Sequence, residues 1–121
     1  MEFQPNKGIF LQIADNICEK ILNGTYQADH KIPSVRELAA KTGVNPNTIV
    51  HTYAELQTQN IIDNKRGIGF YVNPEAKRII LKRKKDEFFN KVLPEFLHQA
   101  NLLGISADDL KKQLDQIEIK A

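Results

Sequence analysis

The side chains able to do chemistry fall into three groups along the chain: Ser34 with Arg36; Asn45, Asn47, Thr48 and His51; and Lys65, Arg66 and Gly67. They are amides, hydroxyls and cations, which make a surface that hydrogen-bonds and neutralises rather than one that cleaves bonds. Asn pairs bidentately with adenine, Thr bonds a base or a phosphate, and the neighbouring apolar Val50 suits a thymine methyl. Two cations beside Gly67 and Gly69 suit a phosphate backbone or a minor groove, because glycines let the main chain come close. Ser34 and Arg36, if they open a helix, add free amides to which a phosphate can bind. Each group also has a plainer reading: a solvated helix face, or a surface salt bridge from Arg36 to Glu37 or Glu55 that contributes little.

No catalytic constellation competes with these groups. His30, His51 and His98 are far apart, with no i, i+4 pair to hold a metal, and Cys18 has no nearby histidine to activate it. His51 among Asn and Thr reads better as a nucleic-acid contact than as a metal ligand or pH switch. Asp108 and Asp109 fit a helix dipole better than acid–base chemistry. No enzyme, metal or cofactor is expected.

The elements that must position these groups follow from periodicity. Ile9, Ile13, Ile17 and Ile21 recur at four-residue steps, predicting a helix over 9–22 with Gly24 as its stop. Ser34 and Glu37 have the spacing of a capping box, opening a second helix that buries Val35, Leu38 and Ala39 and ends at Thr42-Gly43-Val44. Asn45 as N-cap and Pro46 at the first helical position open a third, with Ile49, Tyr53 and Leu56 as its buried stripe. That register turns Asn47, His51, Ala54 and Thr58 outward. Beyond Asn60 the period changes: 61–63 and 70–72 are β-prone runs around a basic loop at 64–69, the pattern of a hairpin. Asn73-Pro74 marks a boundary, giving one domain over 1–73 and a helical segment over 74–121. In that segment 75–103 and 106–117 read as helices separated by Gly104, with a kink or break expected near 90–93 because Pro94 lacks an N–H.

Composition allows little else. The chain has 121 residues, 41% hydrophobic and 26% charged, which fits a globular protein and leaves no room for a second full-sized ligand-binding domain. No apolar run approaches the length of a membrane span, and the start lacks a signal peptide's layout, so a cytoplasmic protein with no membrane partner is expected. Cys18 is expected to be a buried small hydrophobe. Net charge is +2, and residues 1–72 are neutral with seven basic and seven acidic side chains. Bulk charge therefore identifies no partner, and placement must carry the reading.

Two short helices, a glycine-bearing turn and a basic hairpin form the pattern of a helix-turn-helix with a wing. The runs Ile32-Pro33-Ser34-Val35-Arg36-Glu37-Leu38-Ala39, Gly43-Val44-Asn45-Pro46-Asn47-Thr48-Ile49 and Arg66-Gly67-Ile68-Gly69-Phe70-Tyr71-Val72, with Tyr53 and Leu56, resemble the winged-helix domain of GntR-family transcription regulators. The likeness covers about residues 8–72, and the short remainder is similar to the YtrA-type subfamily. The fold so implied is mainly α with a small β-hairpin wing, followed by a helical dimerisation segment. The resemblance implies a homodimer on a pseudo-palindromic operator, usually a repressor, with contacts from Arg36, Asn45, Asn47, Thr48 and Gly67. The chain departs from the wider pattern at Pro46 and Val50, at Gln27-Ala28-Asp29-His30, which lacks the common proline and glycine, and at Asn60, which replaces a frequent glycine.

A neutral winged helix binds a single half-site weakly, so the tail matters. Ile80, Phe88, Phe89, Val92, Phe96, Leu97, Leu103, Leu110 and Leu114, with Ile79, Leu93, Leu102 and Ile117, are more apolar side chains than two helices of a monomer can hide, and a second copy would cover them. Alternatively they fold back within one chain, or enclose an unknown small-molecule effector. The cluster Lys77, Arg78, Lys82, Arg83, Lys84 and Lys85 is a solvated face or a further phosphate contact. The leading expectation is a sequence-specific, dimeric regulator bound to double-stranded DNA. A winged-helix protein-interaction adaptor is the competing class.

Overall fold

In the computed structural model, which describes residues 8–117, the first element is α1 (Ile9–Leu22). Its four-residue apolar step buries Ile13, Ile17, Cys18 and Ile21 on one face, so Cys18 does lie inside. The segment after α1 turns through Asp29, whose φ of 63° is a left-handed conformation that glycine adopts freely and Asp tolerates. α2 (Val35–Thr42) opens with the reciprocal cap expected of it. The Ser34 hydroxyl oxygen accepts from the Glu37 N–H at 3.1 Å, and the Ser34 N–H donates to Glu37 Oε1 at 3.3 Å. Gly43 ends α2 in the left-handed conformation at φ 71°. Three residues later α3 (Pro46–Thr58) begins under an Asn45 cap, which accepts the Asn47 N–H at 2.8 Å.

Past α3, Asn60 turns the chain at φ 61°, and β1 (Ile62–Lys65) pairs antiparallel with β2 (Gly69–Val72), with Ile62 opposite Val72 and Lys65 opposite Gly69. The strands run closer to the tip than the sequence reading placed them. Lys65 is a strand residue, and the tip is only Arg66, Gly67 and Ile68, closed by an Ile68 N–H donating to the Lys65 carbonyl at 2.8 Å. A third segment, unforeseen from the sequence, lies along the other edge of β2. Asp29 N–H donates to the Val72 carbonyl, Val72 N–H to His30 and Ile32 N–H to Phe70, with Lys31 opposite Tyr71.

These elements enclose one core of Ile13, Ile17, Ile32, Leu38, Ile49, Tyr53, Leu56, Ile61, Ile62 and Val72, with Ala76 and Ile80 added from α4 (Ala76–Glu87). The first compact unit therefore extends to Arg83 rather than stopping at 73. Ile80, expected from the sequence at a dimer contact, is instead 2% exposed inside this core, because the four-residue step from Ala76 puts both side chains on the inward face of α4.

The second unit runs from Lys84. Here the expected disturbance before Pro94 takes the form of a π-helical turn, Phe88–Val92, leading into α5 (Leu93–Leu102). The Leu93 N–H reaches back five residues to the Phe88 carbonyl, so the bonding register shifts just ahead of the residue that has no N–H to donate, and the helical run continues. α6 (Ala107–Gln116) is capped by Ser106, whose oxygen accepts from Asp109 N–H at 3.1 Å while Asp109 returns the bond. Phe88, Phe89, Val92, Phe96, Leu97, Leu103 and Leu114 are exposed in this unit, and Leu110 is partly covered.

Candidate nucleic-acid interface

The candidate surface is built on α3. Ile49, Tyr53 and Leu56 are at most 1% exposed, and this anchors the helix so that Asn47, His51, Ala54 and Thr58 face out, as the 100° step requires. Val50 is 49% exposed on the flank, positioned for apolar contact. Thr48 is partly buried, and Thr52, fully buried one turn on, donates its hydroxyl to the Thr48 main-chain carbonyl at 2.8 Å. Sequence periodicity had not singled out Thr52, since a hydroxyl that bonds back to the preceding turn can be buried like an apolar group. Asn45 has a divided role: its carbonyl oxygen is committed to the cap, which leaves its amide NH2 exposed for a ligand.

Tyr53 ties this helix to the start of α2. Its hydroxyl donates to the Pro33 carbonyl at 2.6 Å, and its ring meets Phe70 edge-on at a centroid distance of 4.8 Å. Burial pushes the Tyr53 pKa well above the ordinary tyrosine value, with smaller contributions from Tyr26 and Glu37. One residue thus fixes α3 against both the Pro33-Ser34 corner and β2. At that corner Arg36 is exposed and makes no ion pair among the described residues, so neither Glu37 nor Glu55 holds it. The Ser34 oxygen serves the cap while its proton is left to donate. Glu37 is held below the usual carboxylate range, first by the Ser34 N–H, then by the Ser34 side chain, with a further contribution from Lys31.

The wing supplies the rest. Arg66 and Gly67 are exposed at the tip, with Gly67 at φ 78°, and Lys65 stands on β1 with its ammonium 4.1 Å from the centre of the Tyr71 ring. Nine sequence-chosen residues, Ser34, Arg36, Asn45, Asn47, Thr48, His51, Lys65, Arg66 and Gly67, thus lie on three elements of the first unit. Of these, only Ser34 and Thr48 are partly covered. Among the described residues no His, Cys, Asp and Glu cluster has the makings of a metal site, and no helix is long and apolar enough to cross a membrane.

A helix pair with an N-capped second helix whose polar face is free, followed by a basic hairpin, defines a winged helix-turn-helix. Residues 10–72 match the model of the bacterial regulatory proteins of the gntR family, and the chain belongs to that family, whose members are DNA-binding transcription regulators and not enzymes. Two proteins of Bacillus subtilis are similar over most of its length. The uncharacterized HTH-type transcriptional regulator YhcF is 38% identical, covering 90% of this chain and 88% of its own. The HTH-type transcriptional repressor YtrA is 32% identical, over 90% and 83%. A GntR-family transcriptional regulator from Listeria monocytogenes has a similar solved structure, at TM-score 0.76 and 37% identity over 96% of this chain and 100% of that one. The AraR DNA-binding domain, solved with operator ORR3, matches 60% of this chain and 94% of its own at TM-score 0.50 and 28% identity.

Proposed function

We infer that the protein is a sequence-specific transcription regulator that acts as a homodimer on a pseudo-palindromic operator and represses. The observation that carries this reading is the orientation of α3: its apolar stripe is spent on the core while Asn47, His51 and the Asn45 amide face outward at its N-terminal end. An α-helix presents that end to base edges in a major groove. Asn47, Thr48, His51 and Val50 read bases; Ser34, Arg36, Lys65, Arg66 and Gly67 hold the phosphate rails on either side. YtrA's designation as a repressor supports the sign of regulation. The exposed Phe88, Phe89, Val92, Phe96, Leu97, Leu103 and Leu114, with Leu110, supply the surface for a second copy, and we assign to that contact the same side chains that would otherwise enclose an effector.

Selection of bound duplexes from a random library tests the proposal. The expected product is a two-fold symmetric site whose half-sites are about one helical turn apart or a multiple of that spacing. A promoter overlapping this site should fall silent when the protein is present. Equal binding to selected and random duplex would refute sequence recognition. Under the adaptor reading, reversing the charges of Lys65 and Arg66 leaves partner binding intact; here it abolishes the DNA complex.

A further inference from the structure

We propose that Lys31 is a DNA-backbone contact that adds a third cation to Lys65 and Arg66 of the wing, its stem lying over the bare main chain at Gly69. The proposal rests on the DNA-binding reading above and adds a residue that no motif marks.

Lys31 lies opposite Tyr71, and Tyr71 lies opposite Asp63, so these three side chains share one face of the three-segment sheet. The alternation along each strand adds Lys65 and Gly69 to the same face. The core takes the other face, with Ile32, Ile62, Val72 and the partly buried Phe70. The outward face therefore carries Lys31 and Lys65 with an aromatic ring between them. Lys65 lies over that ring. Lys31 runs along the sheet toward the wing tip: a Cβ built on Gly69 would come within 2.8 Å of Lys31 Cε and 3.5 Å of its Nζ. A side chain at Gly69 would push the end of the lysine stem off this path, and the φ of 136° at this position independently calls for glycine.

The charge is not locked into an ion pair. Lys31 is exposed and makes no salt bridge among the described residues. The carboxylate of Glu37 accepts from the Ser34 N–H, and that of Asp63 accepts from the Asn73 amide at 3.0 Å. A lysine ammonium laid across a backbone, on the same sheet face as Lys65 and tied by no direct ion pair but only by a through-space attraction to Glu37, has the chemistry of a phosphate site. Its position along the chain agrees. Lys31 stands three residues before Ser34, between the α2 corner and the wing, where the sugar–phosphate ridge dividing the groove read by α3 from the groove met by the wing tip must pass.

The test is a titration of the full chain over a range of salt, with a duplex selected by the wild type and a random duplex of equal length. For Lys31→Gln the slope of log K against log salt becomes shallower by about 0.9 for each half-site, and affinity falls by the same factor on both duplexes. Lys31→Arg restores the slope. An unchanged slope for Lys31→Gln, or a loss confined to the selected duplex, overturns the inference while leaving the regulator reading intact. A wild-type chain that binds duplex but prefers no sequence overturns the regulator reading, and the slope comparison on random duplex still decides Lys31. A wild-type chain that binds no duplex removes both.

Discussion

At the scale of single residues, the proposed interface separates contacts that specify from contacts that hold. Asn47 faces out with both amide atoms open to a base edge, so Asn47→Ala is expected to cost about 1–3 kcal/mol on the selected operator and little on random duplex. On the proposed reading Arg36 meets a phosphate, so Arg36→Ala should weaken both duplexes alike and flatten the salt dependence by about one unit for each half-site. Paired anisotropy titrations distinguish the two outcomes. Stability divides by residue as well. The raised pKa of Tyr53 means that its contribution is fully present below the ordinary tyrosine value of about 10 and is lost as pH climbs toward its folded value. Tyr53→Phe should therefore cost about 1 kcal/mol near neutrality, through the Pro33 bond, and make alkaline unfolding less steep, with Tyr26 keeping part of that slope. The lowered pKa of Glu37 works in the other direction: its contribution is present above the usual carboxylate range and disappears as pH falls through its folded value. Urea melts across pH read both limbs.

Elements show where sequence suffices and where it stops. The bounds of α1, the Ser34–Glu37 capping box and the inward stripe of α3 were legible because each is set by side chains within one or two turns of each other. The segment at 29–32 was not, since its pairing with β2 joins residues far apart in the chain and Lys31 carries no strand signature. Ile80 was misplaced for a similar reason: an apolar helix residue reads the same whether it meets its own core or another copy's. The π-helical turn lies between these cases, with Pro94 giving away the site of the disturbance but not its form. Asn60 offers a test of local reading. At φ 61° it occupies a conformation that glycine adopts freely, that Asn tolerates and that Ala resists. Asn60→Ala should lower stability by about 1 kcal/mol, whereas Asn60→Gly should leave it unchanged or raise it, as read from denaturation midpoints at constant slope. A destabilising Asn60→Gly would mean that the Asn side chain, rather than its backbone, holds the junction of α3 and β1.

For the whole molecule, the neutral balance of residues 1–72 is the quantity that the second unit must answer. On the proposed reading the cationic phosphate contacts of one half-site are Arg36, Lys65, Arg66 and Lys31, which leave a single copy with modest affinity, and coupling two copies makes the second contact effectively intramolecular. In the proposed dimer that coupling would rest on side chains such as Phe89, 62% exposed, and Phe96, 50% exposed, which lie outside the first unit's core. Replacing Phe96 and Leu97 together with Glu removes apolar contact and adds like charges that oppose each other across a two-fold interface. The variant is expected to sediment as a monomer with the first unit still folded. Its affinity for a full palindrome should then fall to that of an isolated half-site, and its salt slope should drop to about half the wild-type value, because half as many counterions leave the DNA. A monomeric variant that keeps the full slope would place all the phosphate contacts within one copy. An unchanged dimer would move the interface away from α5, toward the Leu110 and Leu114 face of α6.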